Sequence, residues 1–244
     1  MLGCIFNDKF QNYKYYDIPK AQLILTDVPY EVSTNFYASR PDWYKDRDIS
    51  KGYSEKANTA AFETDSETFD FDDFFSFCAT SLKDEPGKGD SDAPCVILFC
   101  AFQQIPTVIK QAYQHGFKNY TELIFCKNYS PQVLKANMRV VGATEYALVI
   151  YRNKLPKFRN GGHMVKNWFE WKRDGKDVPR IHPAQKPLAV LKRLIEIYTD
   201  TGDVIIDPCA GSGATLQAAK ELGRIGYGFE IDKEFFTKAE EVLW

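Results

Sequence analysis

The chain has 244 residues, 44% of them apolar, which is enough for one substantial domain with a proper core and too many for a disordered segment. A formal net charge of −2 excludes a uniformly basic nucleic-acid coat, so any grip on a polyanion must be local. Six cysteines without a C-x-x-C pair, beside only three histidines, form no metal-ligand pattern, and no metal site is expected.

Met1 to Phe10 holds no long apolar run of the signal-peptide kind, and no later stretch approaches membrane-spanning length. A soluble cytoplasmic protein is expected, with its cysteines as reduced thiols inside apolar runs. Leu23–Asp27 reads as a short buried strand. Residues 31–60 carry Pro41, Gly52, Asn58 and many charges but no periodicity, and a loop of that length is usually functional. Phe71, Phe74, Phe75, Cys78 and Leu82 fall on one face of a helix predicted over 71–82. A Gly/Pro/Asp linker over 83–94 leads into Cys95–Cys100, an unbroken apolar run that predicts a buried strand. A helix follows over 105–115, ended by Gly116. Residues 122–126 and 146–151 read as two more strands. Residues 152–181 are basic, contain Gly161-Gly162 and cluster Trp168, Phe169 and Trp171, so they look like an insert rather than core. Leu188–Tyr198 is an amphipathic helix entered through Pro187. Strand Val204–Asp207, a helix over 214–222, a strand over 225–230 and helix Lys233–Leu243 complete the chain. Unbroken apolar strands alternating with helices predict an α/β fold, its sheet mostly parallel and covered by helices on both faces.

Charge is unevenly spread. Residues 63–92 hold ten acids and two bases, and residues 151–193 hold twelve bases and three acids. Such polarity lets one face grip phosphates while the other keeps the chain in solution, although either block alone reads more simply as solvated surface. Aromatics make up 15%, enough to fill a core and to leave some rings as platforms for flat ligands such as bases.

Two short motifs stand at strand ends. Asp27-Val28-Pro29-Tyr30 follows Leu23-Ile24-Leu25, and Asp207-Pro208-Cys209-Ala210-Gly211-Ser212-Gly213 follows Val204-Ile205-Ile206. Each places a carboxylate and a sharp turn where open α/β sheets bind ligands. In the second, Gly211 and Gly213 permit a tight turn, and the next helix offers unpaired N–H groups to an anionic group. Glu230 ends the following strand roughly 20 residues on, where a carboxylate can accept both ribose hydroxyls. A dinucleotide fingerprint would need glycine where Leu216 stands, and no G-K-[ST] is present, so neither a dinucleotide site nor a P-loop is expected. Taken singly, D-x-P-Y is a strand-terminating turn, and His182-Pro183-Ala184-Gln185-Lys186-Pro187 is a proline-framed helix start.

Together, in this order, the motifs resemble the β group of S-adenosylmethionine-dependent DNA amino-methyltransferases, over nearly the whole chain. The resemblance implies a Rossmann-like methyltransferase fold with circularly rearranged motif order. Residues 1–151 would form its catalytic half, 152–181 a target-recognition insert and 182–244 the cofactor half of the same domain. It implies S-adenosylmethionine as cofactor, held by Asp8, Asp27, His182, Lys186, Asp207, Pro208, Cys209, Gly211, Ser212, Gly213, Thr215 and Glu230. Asn7-Asp8 stands where a polar residue meets the cofactor adenine, and H-P-A-Q-K-P is the segment that holds the methionine end. DNA is the implied partner, through Arg40, Trp43, Lys45 and Arg47 in the long loop and Arg152, Lys157, Arg159, Lys166, Lys172 and Arg173 in the insert. A cognate restriction enzyme is a further candidate partner, and monomer and homodimer are both open. The compact length and the Asn7-Asp8-Lys9-Phe10 opening look like solitary phage or prophage enzymes.

An exocyclic base amine is a poor nucleophile because its lone pair is conjugated into the ring. Asp27 can accept one amine N–H and the Pro29 carbonyl another, which turns the lone pair toward a sulfonium methyl. The Tyr30 ring can stack on a base flipped from the duplex and can face the cationic donor. Transfer is then direct in-line displacement run by positioning and electrostatics, without covalent intermediate or metal. Aspartate at the first position favours adenine N6, and its presence in place of asparagine argues against glutamine or RNA amines. Cytosine-N4 methylation is the nearest alternative, and a non-catalytic DNA-binding protein on the same scaffold is the rival outside enzymes. Methylation at pyrimidine C5 through a Pro-Cys nucleophile is rejected, because Pro94-Cys95 starts its strand and Pro208-Cys209 lies inside the glycine loop. Two residues depart from the family pattern. Val28 replaces a proline and is expected to point away from the base, and Cys209 replaces a phenylalanine.

Overall fold

The structure, a computed structural model, describes residues 3–30, 69–88, 91–128, 142–175, 178–182 and 184–243. Among these residues eight strands form one sheet: β1 (Gly3–Phe6), β2 (Leu23–Asp27), β3 (Cys95–Cys100), β4 (Asn119–Lys127), β5 (Thr144–Tyr151), β6 (Trp168–Trp171), β7 (Val204–Asp207) and β8 (Ile225–Phe229). Their order across the sheet is β1-β8-β7-β2-β3-β5-β4-β6. Every neighbouring pair is parallel except the two that β5 makes, with β3 and with β4. The late strands β7 and β8 therefore sit between β1 and β2, which come from the beginning of the chain.

Helices α1 (Phe71–Ser81), α2 (Ile105–Gln114), α3 (Leu188–Tyr198), α4 (Ala214–Glu221) and α5 (Lys233–Leu243) cover the sheet. Asp70 caps α1 by accepting from the Asp72 and Asp73 amides at 2.8 and 3.1 Å, satisfying donors that have no partner inside the helix. Because strand side chains alternate between faces, β2 splits its apolar residues between two cores. Ile24 packs with Phe74, Phe75, Cys78, Val108 and Ala112 of α1 and α2, while Leu23 and Leu25 pack with Leu191, Leu194, Ile195 and Ala218 of α3 and α4. That gives three layers, as expected of strands buried on both faces.

The predicted strands and helices form close to their expected bounds. Four elements among the described residues were not anticipated: β1, the 3-10 helices Phe10–Tyr15 and Phe102–Gln104, and β6. Strand β6 pairs with the second half of β4, so Trp168, Phe169 and Trp171 belong to the sheet rather than to a separate insert. The stretch between β5 and β6 lies across the end of the sheet from which the parallel strands start. There Pro156 bridges to Ala93, and the Arg159 amide donates to Ile197 O at 2.7 Å. Among the described residues no helix is long and apolar enough to cross a membrane.

Candidate active site

The chain leaves β7 toward β8 on one side and β2 toward β3 on the other, so the gap between β7 and β2 is a topological switch point. Both strands end there in aspartate. Asp207 is only 3% exposed, and its Oδ1 accepts from the Thr26 hydroxyl at 2.7 Å and the Cys209 amide at 3.1 Å. Burial pushes its carboxyl up to about 6, with the hydroxyls of Thr26 and Thr215 and the Cys209 amide pulling the other way.

Beyond Asp207 the chain turns through Pro208, Cys209 and Ser212 with Gly211 and Gly213 at φ of 52° and 73°, a left-handed conformation that costs glycine little. Gly213 leads directly into α4. A Cβ on Gly213 would stand 3.0 Å from Leu243 Cδ1 and 3.3 Å from Ala239 Cβ, so α5 also presses against this turn. Glu230, just past β8, accepts from the amides of Gly211 and Asp232, both at 2.7 Å. Burial holds its carboxyl above the usual range. Asn7 donates to the Glu230 carbonyl at 2.9 Å, which ties the end of β1 to the same place. Asp8 turns the other way. It accepts from the Lys9 amide, Asn12 and Tyr16 at 2.8, 2.7 and 2.8 Å and anchors the 3-10 helix, and the Tyr16 hydroxyl chiefly holds its carboxyl low. His182 rests edge-on against Phe235, ring centres 4.4 Å apart, and 3.9 Å from where a Gly211 Cβ would be. Burial, helped by the charge of Lys186, lowers it to about 4, so it is a neutral imidazole near pH 7. The turn, Glu230, Asn7 and His182 thus converge on one face of the rim.

At the other side of the switch point, Val28 is buried in the core and its amide donates to Phe99 O at 3.3 Å, so it points inward as expected. The Pro29 carbonyl accepts from Gln104 Nε2 at 2.9 Å, and Gln104 Oε1 accepts from the Ala101 amide at 2.9 Å. Gln104 is a buried amide that fixes the D-x-P-Y turn, and no sequence motif flags it. Asp27 Oδ2 pairs with Lys186, while Asp27 Oδ1 is buried with no donor at hydrogen-bond distance, although the nearby Tyr30 hydroxyl also favours the charged carboxylate. Lys186 also lies 3.3 Å from Glu145 Oε2, toward which the Tyr30 hydroxyl makes a long 3.5 Å bond, and Glu145 Oε1 pairs with Lys127. Burial raises the Asp27 carboxyl to about 6, Lys186 drawing it down and Glu145 pushing it up. Burial works against the charged form of Lys186 too, but Asp27 and Glu145 outweigh it and leave that ammonium above its ordinary range. Lys186 was expected at the methionine end of the cofactor, yet the structure turns its ammonium to the D-x-P-Y turn.

Arg40, Trp43, Lys45 and Arg47 lie outside the described residues. Arg152, Lys157 and Arg159 are described, and they do not join the site. Strand β5 runs against its neighbours, so the bases that follow it emerge at the opposite end of the sheet. Arg152 donates to the carbonyls of Lys83 and Ala79 at 3.1 and 2.8 Å. Lys157, 7% exposed, pairs with Asp203 and Asp200 at 2.7 and 2.8 Å. Arg159 pairs with Asp92 and Asp200 at 2.6 and 2.8 Å. These three hold the fold together. Lys166 precedes β6, its ammonium 5.5 Å from the Trp168 ring. Lys172 and Arg173 follow β6 at the same end of the sheet as Asp27, with Lys172 exposed and paired to Glu170 at 2.9 Å.

A family model described as DNA methylase matches residues 21–241. The putative methylase YubD of Escherichia coli K12 is 31% identical over 128 residues, 52% of this chain and 52% of YubD. The type II methyltransferase M.HindIII of Haemophilus influenzae is 53% identical over 58 residues, 24% of this chain and 19% of that protein. The chain thus matches about half the length of YubD and about a fifth of M.HindIII. Among solved structures, the M1.HpyAVI–SAM complex superposes with a TM-score of 0.67 at 21% identity, covering 100% of both chains. PvuII DNA methyltransferase, described as cytosine-N4-specific, superposes with a TM-score of 0.68 at 14% identity, covering 98% of this chain and 86% of that one. Both share this fold.

Proposed function

This chain belongs to the N6/N4 DNA methylase family, and from that premise we propose that it transfers the methyl group of S-adenosylmethionine to the exocyclic N6 amine of adenine in DNA. The observation that carries the proposal is the unpartnered Asp27 Oδ1, a buried acceptor beside the Pro29 carbonyl at the switch point of the sheet. A buried oxygen without a donor is costly unless a ligand supplies one, and an amine N–H is such a donor.

S-adenosylmethionine, when bound, supplies an electrophilic sulfonium methyl. The residues that fit this cofactor are those converging on the glycine turn. Glu230 offers carboxylate oxygens suited to ribose hydroxyls, Gly211 and Gly213 allow close approach of backbone, and Asn7 and His182 offer neutral polar edges. On the substrate side, Asp27 Oδ1 would accept one amine N–H, and the Pro29 carbonyl has a second lone pair for another, because Gln104 occupies only one. Holding both N–H groups turns the nitrogen lone pair out of conjugation and toward the methyl. Tyr30 supplies a ring for stacking on a base drawn out of the duplex.

Aspartate at the head of the turn favours adenine. Cytosine-N4 is the second reading, because the PvuII enzyme, cytosine-specific by its description, shares this fold. Relatives described as type II methyltransferases extend the proposal to a restriction enzyme reading the same DNA site. The test is incubation with labelled S-adenosylmethionine and unmethylated genomic DNA, then digestion to nucleosides and mass spectrometry. N6-methyladenine is the expected product. N4-methylcytosine would overturn the base assignment, and no labelled base would overturn the reaction.

A further inference from the structure

Lys186 lies in the segment ahead of α3, yet its ammonium pairs with Asp27 Oδ2 and stands 3.3 Å from Glu145 Oε2. Glu145 Oε1 is closed by Lys127. The four groups form one row of alternating charge, Lys127–Glu145–Lys186–Asp27, that reaches from β4 through β5 to β2. The Lys186 side chain is only 7% exposed. The rings of Phe99, Tyr30 and Trp171 stand 5.3, 5.4 and 5.7 Å from its nitrogen, so a cation withdrawn from water is faced by π density.

Groups facing Asp27 come from every element packed around it. They are Lys186 from the segment before α3, Glu145 from β5, Tyr30 from its own turn, Cys100 from β3, and Asp207 and Cys209 from β7 and its loop. Lys186 is the one cation in this set of described residues. With Oδ2 paired to Lys186, a proton on Asp27 falls on Oδ1, which would then present an O–H to an amine that itself has N–H to give, and the hydrogen bond that orients the nucleophile would be weakened. A carboxylate free to rotate would present either oxygen.

Resting on the methyl-transfer reading above, we propose that Lys186 is a positioning residue of the reaction. Anchored on its far side by Glu145, the Lys186 ammonium keeps Asp27 ionised against the charge of Glu145 and pins Oδ2, so that Oδ1 is the acceptor presented to the substrate amine. Lys186 then acts on the base side of the transfer, and cofactor affinity does not depend on it. Glu145 has the opposite sign to Lys186, and its own charge resists ionisation of Asp27.

The test uses wild type, Lys186→Met, Lys186→Arg and Glu145→Gln. Three quantities are read: kcat against pH, S-adenosylmethionine affinity by calorimetry, and Asp27 ionisation by carboxyl NMR. Lys186→Met should lower kcat at pH 7 by about tenfold or more, move the acidic limb up by about one pH unit or more, and leave cofactor Kd within about twofold of wild type. Lys186→Arg should recover part of both effects. Glu145→Gln should move the limb down, an opposite shift that loss of packing would not produce and that remains readable if Lys186→Met fails to fold. A weakened cofactor Kd with an unmoved limb would overturn the proposal and return Lys186 to the cofactor. If wild type methylates no DNA amine, the underlying reading fails, while the NMR titration still decides whether Lys186 governs Asp27.

Discussion

Asp27 is held from three directions: the β2 ladder fixes its backbone, Lys186 takes one carboxylate oxygen, and burial keeps the other dry. A positioned polar group of this kind is worth roughly 10²-fold or more in turnover, so Asp27→Ala should cut kcat by about that factor in a labelled methyl-transfer assay. Its pH dependence has a definite sign. Burial raises the carboxyl to about 6, so the ionised acceptor is lost as pH falls through that value, and kcat should fall with it. Asp27→Asn, which cannot titrate, should remove that acidic limb, and an unchanged limb would assign it to another group. Gln104 shows what residue-scale reading misses. Nothing in Phe102-Gln103-Gln104 marks the last residue, because its importance comes from reaching the Pro29 carbonyl across 75 positions of sequence.

At the scale of elements, the glycine turn is a joint between α4 and α5 as well as the proposed cofactor loop. A side chain on Gly213 meets Leu243 and Ala239 and must hold φ at 73°. Gly213→Val should therefore cost about 1–3 kcal/mol, read as a lower Tm, and weaken cofactor binding in the same variant. Helix α1 and strands β2, β3 and β7 were legible in the sequence because phenylalanines at helical spacing and unbroken apolar runs leave few other arrangements. β1 was not, because Gly3–Phe6 is too short to show a period and is a strand only through its parallel pairing with β8. β6 was not, because its aromatics read equally well as a surface cluster, while in the fold Trp171 packs against Phe99 and Phe125. The D-x-P-Y turn, the glycine turn and Glu230 could be placed from sequence, since each ends a strand. The destination of Lys186 could not, because it depends on β5 running backwards and bringing Glu145 to the rim.

For the whole molecule, that same reversal divides the described basic residues by place. Those after β5 face the far end and pair internally, whereas Lys172 follows β6 on the rim side. Lys157→Ala should lower stability by up to about 3 kcal/mol, since it strips a cation from two aspartates, and leave DNA affinity unchanged. Lys172→Ala should leave Tm unchanged, weaken DNA binding and reduce the salt slope by about one. A drop in DNA affinity for the first, with none for the second, would reverse this division. The interleaving of β7 and β8 between β1 and β2 has a consequence for how the protein is made. A ribosome releases β1, β2 and β3 long before β7 and β8, the two strands that stand between β1 and β2. Until residue 229 is free, β1 has no neighbour in the sheet and the nascent chain cannot close the gap between β1 and β2. The switch point between β7 and β2, where Asp27 and Asp207 end their strands, is thus completed only when the sheet is, so the site and the finished fold arise in one late step.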